Sequence, residues 1–207
     1  MHVLVIGSAG KTGRLVVERA VTAGHHVTAF VRDPSRYTAP PEVRILSGDA
    51  TNPATVSQAM VGQDAVIAVI AGKTPWRTTA LEQTAARAIV AAAQQHSTHR
   101  IIAVSAIGVG DSAAHVPLLF RLLVLPTFLR GSTADKAAME REIKHGGVPY
   151  VLVRPAVLND QPAVNATRVL TGSEKGRQIS RADVAAFVVE QLTTDTYLNR
   201  AVTIANR

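Results

Sequence analysis

At 207 residues the chain has the length of one α/β domain, and its 47% hydrophobic and 18% charged residues exclude a disordered protein. The lack of cysteine excludes a disulfide framework, a thiolate zinc site and a cysteine nucleophile. The formal net charge is +7, but the basic residues are scattered and only 4% of residues are aromatic, so we expect a solvated basic surface and no nucleic-acid partner.

Strand-like and helix-like stretches alternate along the whole chain. The strand-like runs are apolar throughout: Val3–Ile6, Val27–Val31, Val43–Leu46, Ala65–Ile70, Arg100–Val104 and Tyr150–Val153, with a shorter run at Val202–Ile204. Amphipathic helix patterns occupy Thr12–Ala23, Pro53–Met60, Thr78–Gln95, Ala134–Lys144 and Arg181–Leu192. Continuously apolar strands are typical of a parallel sheet covered on both faces. We predict the α/β class, as a Rossmann-type, doubly wound, mainly parallel sheet in a single domain over residues 1–207, with a small C-terminal substrate-side region.

Several boundaries of these elements carry their own signals. Gly24 follows the first helix as a stop, and Asn52 with Pro53 opens the second. Ser180 with Asp183 resembles a capping box in which aspartate replaces glutamate.

A glycine-rich turn follows the first strand and opens the first helix: Gly7-Ser8-Ala9-Gly10-Lys11-Thr12-Gly13. This is the context of a dinucleotide-binding fingerprint, in which the three glycines permit a tight turn, approach of the pyrophosphate and close helix packing. The pyrophosphate is then expected at the helix N-terminus. A nucleoside-triphosphate P-loop is set aside, because Val5 stands where that motif needs a glycine.

The end of the second strand bears on the type of dinucleotide. Arg32 occupies its tip and Arg36 follows one turn later, and arginine at this place accommodates a 2′-phosphate. Asp33 is the counter-argument, since an acidic residue there favours NAD, but it could simply cap the next turn. The pattern favours NADP(H) over NAD(H), with ordinary surface arginines as the alternative.

The segment Val116–Leu129 is strongly apolar but too short to span a bilayer, and Arg121 and Pro126 interrupt it. One interpretation is a helix packed against the domain, a second is a mobile apolar cover over the substrate site, and a third is contact with a membrane or partner. Because the first strand begins directly after Met1, with no room for a secretory leader, we expect a cytoplasmic protein without a membrane span.

Seven motifs together make the chain resemble, nearly from end to end, an atypical short-chain dehydrogenase/reductase of the NmrA-like and flavin reductase/biliverdin-IXβ reductase group. They are Gly7-Ser8-Ala9-Gly10-Lys11-Thr12-Gly13, Val31-Arg32-Asp33, Gly48-Asp49-Ala50, Gly62-Gln63-Asp64-Ala65-Val66, Val104-Ser105-Ala106, Arg154-Pro155-Ala156 and Ile179-Ser180-Arg181-Ala182-Asp183.

The resemblance implies roles for matching positions. Asp49 and Ala50 would lie beside the adenine, and Ala71 with Gly72 under the adenosine ribose and pyrophosphate. Ser105 would lie near the nicotinamide, although it could instead cap a strand end, and Gly48-Asp49 could be a plain turn. The remaining implied cofactor contacts are the glycine-rich turn (Gly7, Ser8, Gly10, Lys11, Thr12, Gly13) and Pro155, Ala156 and Val157.

The chain departs from better-known short-chain dehydrogenases in its catalytic pair. Those use a tyrosine four residues before a lysine; here Lys136 occupies the lysine position and Ser132 stands where the tyrosine would be. A serine hydroxyl is a much weaker acid than a phenol, so ketone or alcohol chemistry is doubtful. Ser105 and Lys136 remain the candidate catalytic residues, with a surface position as the alternative for Lys136.

Two functions suit a site without that tyrosine. The first is an NADPH-dependent reductase of a flat, electron-poor acceptor such as a flavin, quinone or biliverdin-like tetrapyrrole, which needs only alignment and takes its proton from solvent. The second is a non-catalytic NADP(H) sensor, as the NmrA-like resemblance implies; nucleotide-sugar epimerase chemistry would want the tyrosine. Candidate substrate-pocket residues are Lys73, Trp76, Leu119 and Phe120, although Trp76 could instead pack at a helix start. The histidines indicate no metal site, and we expect a monomer or weak homo-oligomer.

Overall fold

The computed structural model describes residues 1–72 and 74–207. The helices are α1 (Lys11–Thr22), α2 (Pro53–Met60), α3 (Leu81–Gln95), α4 (Arg130–His145) and α5 (Arg181–Glu190). The strands are β1 (His2–Ile6), β2 (His26–Val31), β3 (Arg44–Ser47), β4 (Ala65–Ala68), β5 (Arg100–Val104), β6 (Tyr150–Pro155), β7 (Val157–Asn159), β8 (Thr167–Val169), β9 (Gln178–Ser180) and β10 (Arg200–Asn206). Short 3₁₀-helices occupy Pro34–Arg36 and Gly110–His115, and a π-helical turn covers Phe120–Val124.

Eight strands form the central sheet in the order β3-β2-β1-β4-β5-β6-β10-β8. All neighbours are parallel except β8, which runs antiparallel to β10. The predicted Rossmann-type, mainly parallel sheet is therefore confirmed. A second sheet of β7 and β9 was not predicted, because strands of three residues are too short to give a periodic signal.

Successive side chains of β1 pack into two separate hydrophobic cores. Val3 and Val5 pack into the core that contains α1 and α5. Leu4 and Ile6 pack into the core beneath α2, α3 and α4. Because adjacent side chains of a strand point to opposite faces, a sheet covered on both sides needs strands without polar alternation.

The start of α3 was predicted three residues too early. Asp135, on α4, accepts hydrogen bonds from the backbone N–H of Thr79 at 2.8 Å and of Ala80 at 3.2 Å. Ala80 is held at a positive φ of 55°, so helical geometry begins only at Leu81. A carboxylate from another element thus fixes this boundary, which local sequence does not reveal.

The cap of α5 forms as predicted on one side only. Ser180 Oγ accepts the backbone N–H of Asp183 at 3.0 Å. The N–H of Ser180 donates instead to Asn206 at 2.9 Å. Aspartate is one methylene shorter than the glutamate of a full capping box. The carboxylate of Asp183 instead accepts hydrogen bonds from the backbone N–H groups of Val164 at 3.1 Å and Asn165 at 3.0 Å.

Among the described residues, no helix has both the length and the apolar character needed to cross a bilayer. Nor does that part of the chain contain a group of three or more histidine or acidic side chains placed to hold a metal ion.

Candidate functional site

The glycine-rich turn after β1 leaves no room for side chains at two of its glycines. Gly7 has a φ of +89°, and a Cβ there would lie 2.2 Å from the carbonyl oxygen of Val69. A Cβ on Gly13 would lie 2.1 Å from the carbonyl oxygen of Gly7. Both contacts are with backbone, so the close packing of β1, β4 and α1 requires glycine at these positions.

The third glycine leaves the start of α1 open. Gly10 is the N-cap of α1, no side chain caps this end, and its first turn holds no acidic residue. Gly10 is exposed, with φ −72° and ψ 162°. The free N–H groups and the helix dipole therefore face the cleft above, which suits a negatively charged ligand group.

Two hollows meet over this turn and form one continuous cleft. The small hollow, of about 290 Å³, lies at the carboxyl ends of β1 and β2 and beside the loop after β3. The large hollow, of about 590 Å³, lies between the glycine-rich turn, the end of β5 and residues 120–129. Their walls share Gly10, Val69, Ile70 and Ala71. A ligand with two different ends can lie across the turn, with one end in each hollow.

Six of the predicted contact residues line the small hollow: Gly7, Gly10, Arg32, Asp49, Ala50 and Ala71. Hydrogen bonds from the backbone N–H and the hydroxyl of Thr51, both 2.8 Å, lower the pKa of Asp49, and the charge of Arg32 lowers it further. Asp49 is therefore ionised at neutral pH. Asp49 both forms part of a tight turn and lines the small hollow. The two interpretations of this residue, a plain turn and a contact with the cofactor, are therefore compatible.

Three other residues predicted for this end do not line the cleft. Arg36 is exposed beside the hollow, and Ser8 is buried with its hydroxyl donating to the Phe30 carbonyl at 3.1 Å. The N–H of Gly72 donates to Glu82 at 3.3 Å. Ser8 and Gly72 thus shape the walls from behind.

Asp33, the acidic residue that would favour NAD, forms hydrogen bonds within its own turn. Its carboxylate accepts from the backbone N–H of Ser35 at 3.1 Å and from the Ser35 hydroxyl at 2.6 Å. It caps the turn Pro34–Arg36, as one interpretation of the sequence expected.

The large hollow brings together most of the residues predicted for its end of the site. Its wall is largely apolar, and Val124, Phe128 and Leu129 extend it beyond the predicted set. The predicted residues that line it are Lys11, Thr12, Gly13, Phe120, Lys136, Ser105, Pro155, Ala156 and Val157.

The hydroxyl of Ser105 is an unused polar group in this wall. Ser105 is only 3% exposed, and its Oγ has no hydrogen-bond partner among the described residues. It lies close enough to the carboxylate of Glu140 to help lower its pKa. A buried hydroxyl without a partner is costly, so this group is suited to hydrogen bond with a ligand in the hollow.

Behind Ser105 lies a buried charge cluster that sequence reasoning did not identify. Arg154, 1% exposed, donates to both oxygens of Glu140, at 2.8 Å from Nε and 2.6 Å from an NH group. Its other NH group donates to the exposed Asp111 at 2.5 Å. Burial raises the pKa of Glu140, but the hydrogen bonds from Arg154, the Ser105 hydroxyl and the charges of Arg154 and Lys144 together outweigh this and hold it below its ordinary value. The pair fixes the end of β6 against α4.

Lys136 lines the cleft, but its ammonium is already engaged. Nζ donates to Glu82 at 3.0 Å, and both residues are buried, at 7% and 1% exposure. Glu82 also accepts the N–H of Gly72. A catalytic role of Lys136 therefore competes with a structural ion pair, and the alternative of a surface lysine does not hold, since the side chain is buried. Glu82 gave no signal in the sequence, because an acidic residue in the first turn of a helix is common.

A second ion-paired bridge lies at the surface of the cleft. Asp160, in the loop after β7, accepts from Lys11 Nζ at 2.8 Å and from an NH group of Arg181 at 2.5 Å. These bonds lower the pKa of Asp160, chiefly through Lys11. The bridge ties the glycine-rich turn to α5, across the entrance to the large hollow.

The predicted substrate residues separate into two groups. Phe120 lines the large hollow, whereas Leu119 is 73% exposed and Trp76 is 50% exposed, with its ring 6.0 Å from that of Phe128. The structure does not bring Leu119 or Trp76 into the cleft. Lys73 lies outside the described residues.

Comparison with known proteins matches the chain to one family, one sequence relative and two solved structures. A model of the NAD(P)H-binding family matches residues 7–195. YhfK of Bacillus subtilis, named an uncharacterised sugar epimerase, is 30% identical over 209 residues, covering 97% of this chain and 92% of YhfK. Among solved structures, ChuY of Escherichia coli, named an anaerobillin reductase, matches with a TM-score of 0.82 and 22% identity, covering 100% of this chain and 97% of ChuY. A Streptococcus pneumoniae protein assigned as an NADH-flavin reductase matches over the full length of both chains with a TM-score of 0.78 and 21% identity.

Proposed function

Because the chain belongs to the NAD(P)H-binding family, as its motifs predicted, we propose that it is an NADPH-dependent oxidoreductase that transfers hydride to a flat, electron-poor acceptor. The observation that carries the proposal is the continuous cleft, which has an uncapped helix start between a charged hollow and an apolar one. The acceptor class is a flavin, a quinone or a biliverdin-like tetrapyrrole.

The residues present fit such a cofactor. Gly7 and Gly13 form a cradle that any Cβ would fill, and Gly10 leaves the N–H groups of α1 accessible to a pyrophosphate. Arg32 and Asp49 would hold the adenosine end in the small hollow. Ser105 would hydrogen bond at the nicotinamide end. Once bound, the cofactor supplies the hydride.

The chain's own contribution is to bind, orient and exclude water. The apolar wall of the large hollow, including Phe120, Val124 and Ala156, would hold a flat acceptor against the cofactor side of the cleft. The described walls include no tyrosine and no free carboxylic acid that could donate a proton. Flavins, quinones and linear tetrapyrroles need no such donor, since solvent can supply the proton after hydride transfer.

The names of two structurally similar proteins support this class of reaction. ChuY is named an anaerobillin reductase and the Streptococcus pneumoniae protein is assigned as an NADH-flavin reductase. YhfK carries the name of a sugar epimerase, but sugar chemistry needs an acid–base group near the hydroxyl, and the cleft provides Lys136 only within its ion pair with Glu82. The second candidate is a non-catalytic NADP(H) sensor, which is favoured by the same lack of a proton donor.

The test of the proposal is NADPH consumption by the purified protein with FMN, a soluble quinone and biliverdin, with NADH for comparison. We expect turnover above the rate without enzyme for at least one acceptor. The matched variant is Ser105→Ala, which removes only a small buried hydroxyl beside Glu140. It should lose about tenfold in kcat/KM with the loss of one hydrogen bond to the ligand, and urea unfolding of the same variant measures any effect on the fold.

Binding of NADPH without reduction of any acceptor would refute the reductase and favour the sensor, which should then bind NADPH and NADP⁺ with different affinities. Full activity in Ser105→Ala would show that the hydroxyl has no part in the site.

Cofactor preference is expected to depend on Arg32 and not on Arg36. Arg32 lines the small hollow, whereas Arg36 does not. Arg32→Ala should therefore reduce the ratio of NADPH to NADH affinity by about 10- to 100-fold, the size of one charge-assisted hydrogen bond. Arg36→Ala, an equal loss of charge four residues away, serves as the control. Titration of both variants with each dinucleotide measures the ratio; an unchanged ratio in Arg32→Ala would exclude this residue as the 2′-phosphate contact.

A further inference from the structure

An apolar face lies on the outside of the segment that walls the large hollow. We call it the leucine face: Leu118, Leu119, Leu122, Leu123, Phe128 and Trp76, with exposed fractions between 50% and 73%. Isolated exposed apolar residues are normal, but five large ones within twelve residues of chain, with Trp76 packed beside Phe128, indicate an interaction site.

The outward-facing leucines of this face do not line the cleft. The same segment already directs Phe120, Val124 and Leu129 into the large hollow. It is anchored by Val116 and Leu125, which are 3% and 9% exposed. The inward positions are thus occupied, and the outward leucines remain exposed against residues 1–72 and 74–207.

The charges on and beside the face are all of one sign. Arg121 lies within it, Arg130 follows it, and Arg77 is adjacent to Trp76; all three are exposed and none forms an ion pair with a described residue. The sequence contains no aspartate or glutamate from Ser112 to Ala134. The net charge of +7 adds to this local excess.

These charges distinguish between two partners for the leucine face, a second copy of the chain and an anionic bilayer. In a two-fold contact between copies the face would meet itself, so that each copy would bring arginines and no acid to the interface. A bilayer with anionic phospholipid offers the opposite charge at its headgroups and an apolar layer beneath them. Leucine and aromatic side chains flanked by arginine are the composition of interfacial membrane-binding elements.

We propose that the leucine face docks on the surface of a bilayer that contains anionic phospholipid, with the acceptor cleft opening beside the docked segment. Phe128 belongs to both the face and the wall of the large hollow, so an apolar molecule leaving the bilayer would meet the cleft directly. The docking extends beyond the proposed reductase activity and does not require it.

The test is co-sedimentation of the full chain with vesicles of phosphatidylcholine alone or with about 30% phosphatidylglycerol added. We expect binding to the anionic vesicles and much weaker binding to the neutral ones. Leu122→Ser/Leu123→Ser should reduce the partition coefficient more than about tenfold, because two exposed leucines no longer insert. Val61→Ser/Val164→Ser, which removes two side chains that are each 58% exposed elsewhere, is the matched control and should bind as the original chain does.

Three results would overturn the proposal. One is the absence of binding to either vesicle. Another is equal binding of the leucine variant and the original chain, which would indicate attraction by net charge alone. The third is a dimer, seen by sedimentation velocity, that the leucine variant abolishes without any vesicle binding. NADPH titration of the same variants separates this test from the proposed function, since neither pair of residues lines the cleft and the affinity should be unchanged.

Discussion

Replacing Gly10 by aspartate is expected to abolish NADPH binding while leaving the fold at least as stable as before. Gly10 has a φ that any residue can adopt, and a Cβ there meets only the carbonyl oxygen of Gly7, at 3.3 Å. Aspartate is also among the best N-cap residues, so α1 should gain rather than lose stability. The new carboxylate would lie beside the pyrophosphate, and like charges about 4 Å apart repel by roughly 4 kcal/mol near a protein surface, which is about 1000-fold in affinity.

Gly10→Asn separates charge from size, because it adds the same bulk and the same capping oxygen without the charge. We expect it to lose far less affinity than the aspartate variant in a fluorescence titration with NADPH. Gly13→Ala is the opposite case and should unfold at lower temperature, since its Cβ would lie 2.1 Å from the Gly7 backbone. Normal NADPH affinity in Gly10→Asp would mean that the dinucleotide does not bind over this turn.

Replacing Arg154 by methionine is expected to destabilise the protein by about 3–5 kcal/mol, as is typical when one partner of a buried ion pair is removed. The change leaves the carboxylate of Glu140, 3% exposed, without its two strongest hydrogen bonds. Urea unfolding at pH 7 measures the loss. The double variant Arg154→Met/Glu140→Leu should recover much of it, because it removes the stranded charge together with its partner.

The pH dependence of this effect follows from the lowered pKa of Glu140. A depressed folded-state pKa contributes stability above the ordinary value of 4.5, and that contribution is lost as the pH falls through the folded-state pKa. Without Arg154, burial dominates and raises the pKa of Glu140, so protonation on acidification relieves the stranded charge. The deficit of the variant relative to the original chain should therefore be largest at pH 7 and shrink as the pH falls toward 4. Equal unfolding free energies for the variant and the original chain between pH 4 and pH 7 would show that the pair contributes nothing to the fold.

Local sequence could predict the parts of the site that the backbone forms. The glycine-rich turn was readable because Gly7 and Gly13 are imposed by contacts within about ten residues and by one neighbouring strand. The continuous apolar runs revealed the sheet for a similar reason, since strands covered on both faces cannot alternate.

The parts that sequence could not predict depend on pairs distant in the chain. Glu82 and Lys136 are 54 residues apart, and Lys11 and Asp160 are 149 apart. Charged residues of this kind are read as solvated surface, since nothing local marks their partners. Phe120 lines the large hollow while the neighbouring Leu119 does not, a difference that apolar composition alone cannot predict because it carries no direction.

The strand order also determines when each half of the cleft can form as the chain is synthesised. The small hollow is lined by residues from Ile6 to Leu81, so a nascent chain can complete it early. The large hollow needs residues as far as Arg181, and β8 gains its place at the sheet edge only when residues 200–206 of β10 arrive between it and β6. During translation the residues of the small hollow are therefore all present long before those of the large hollow.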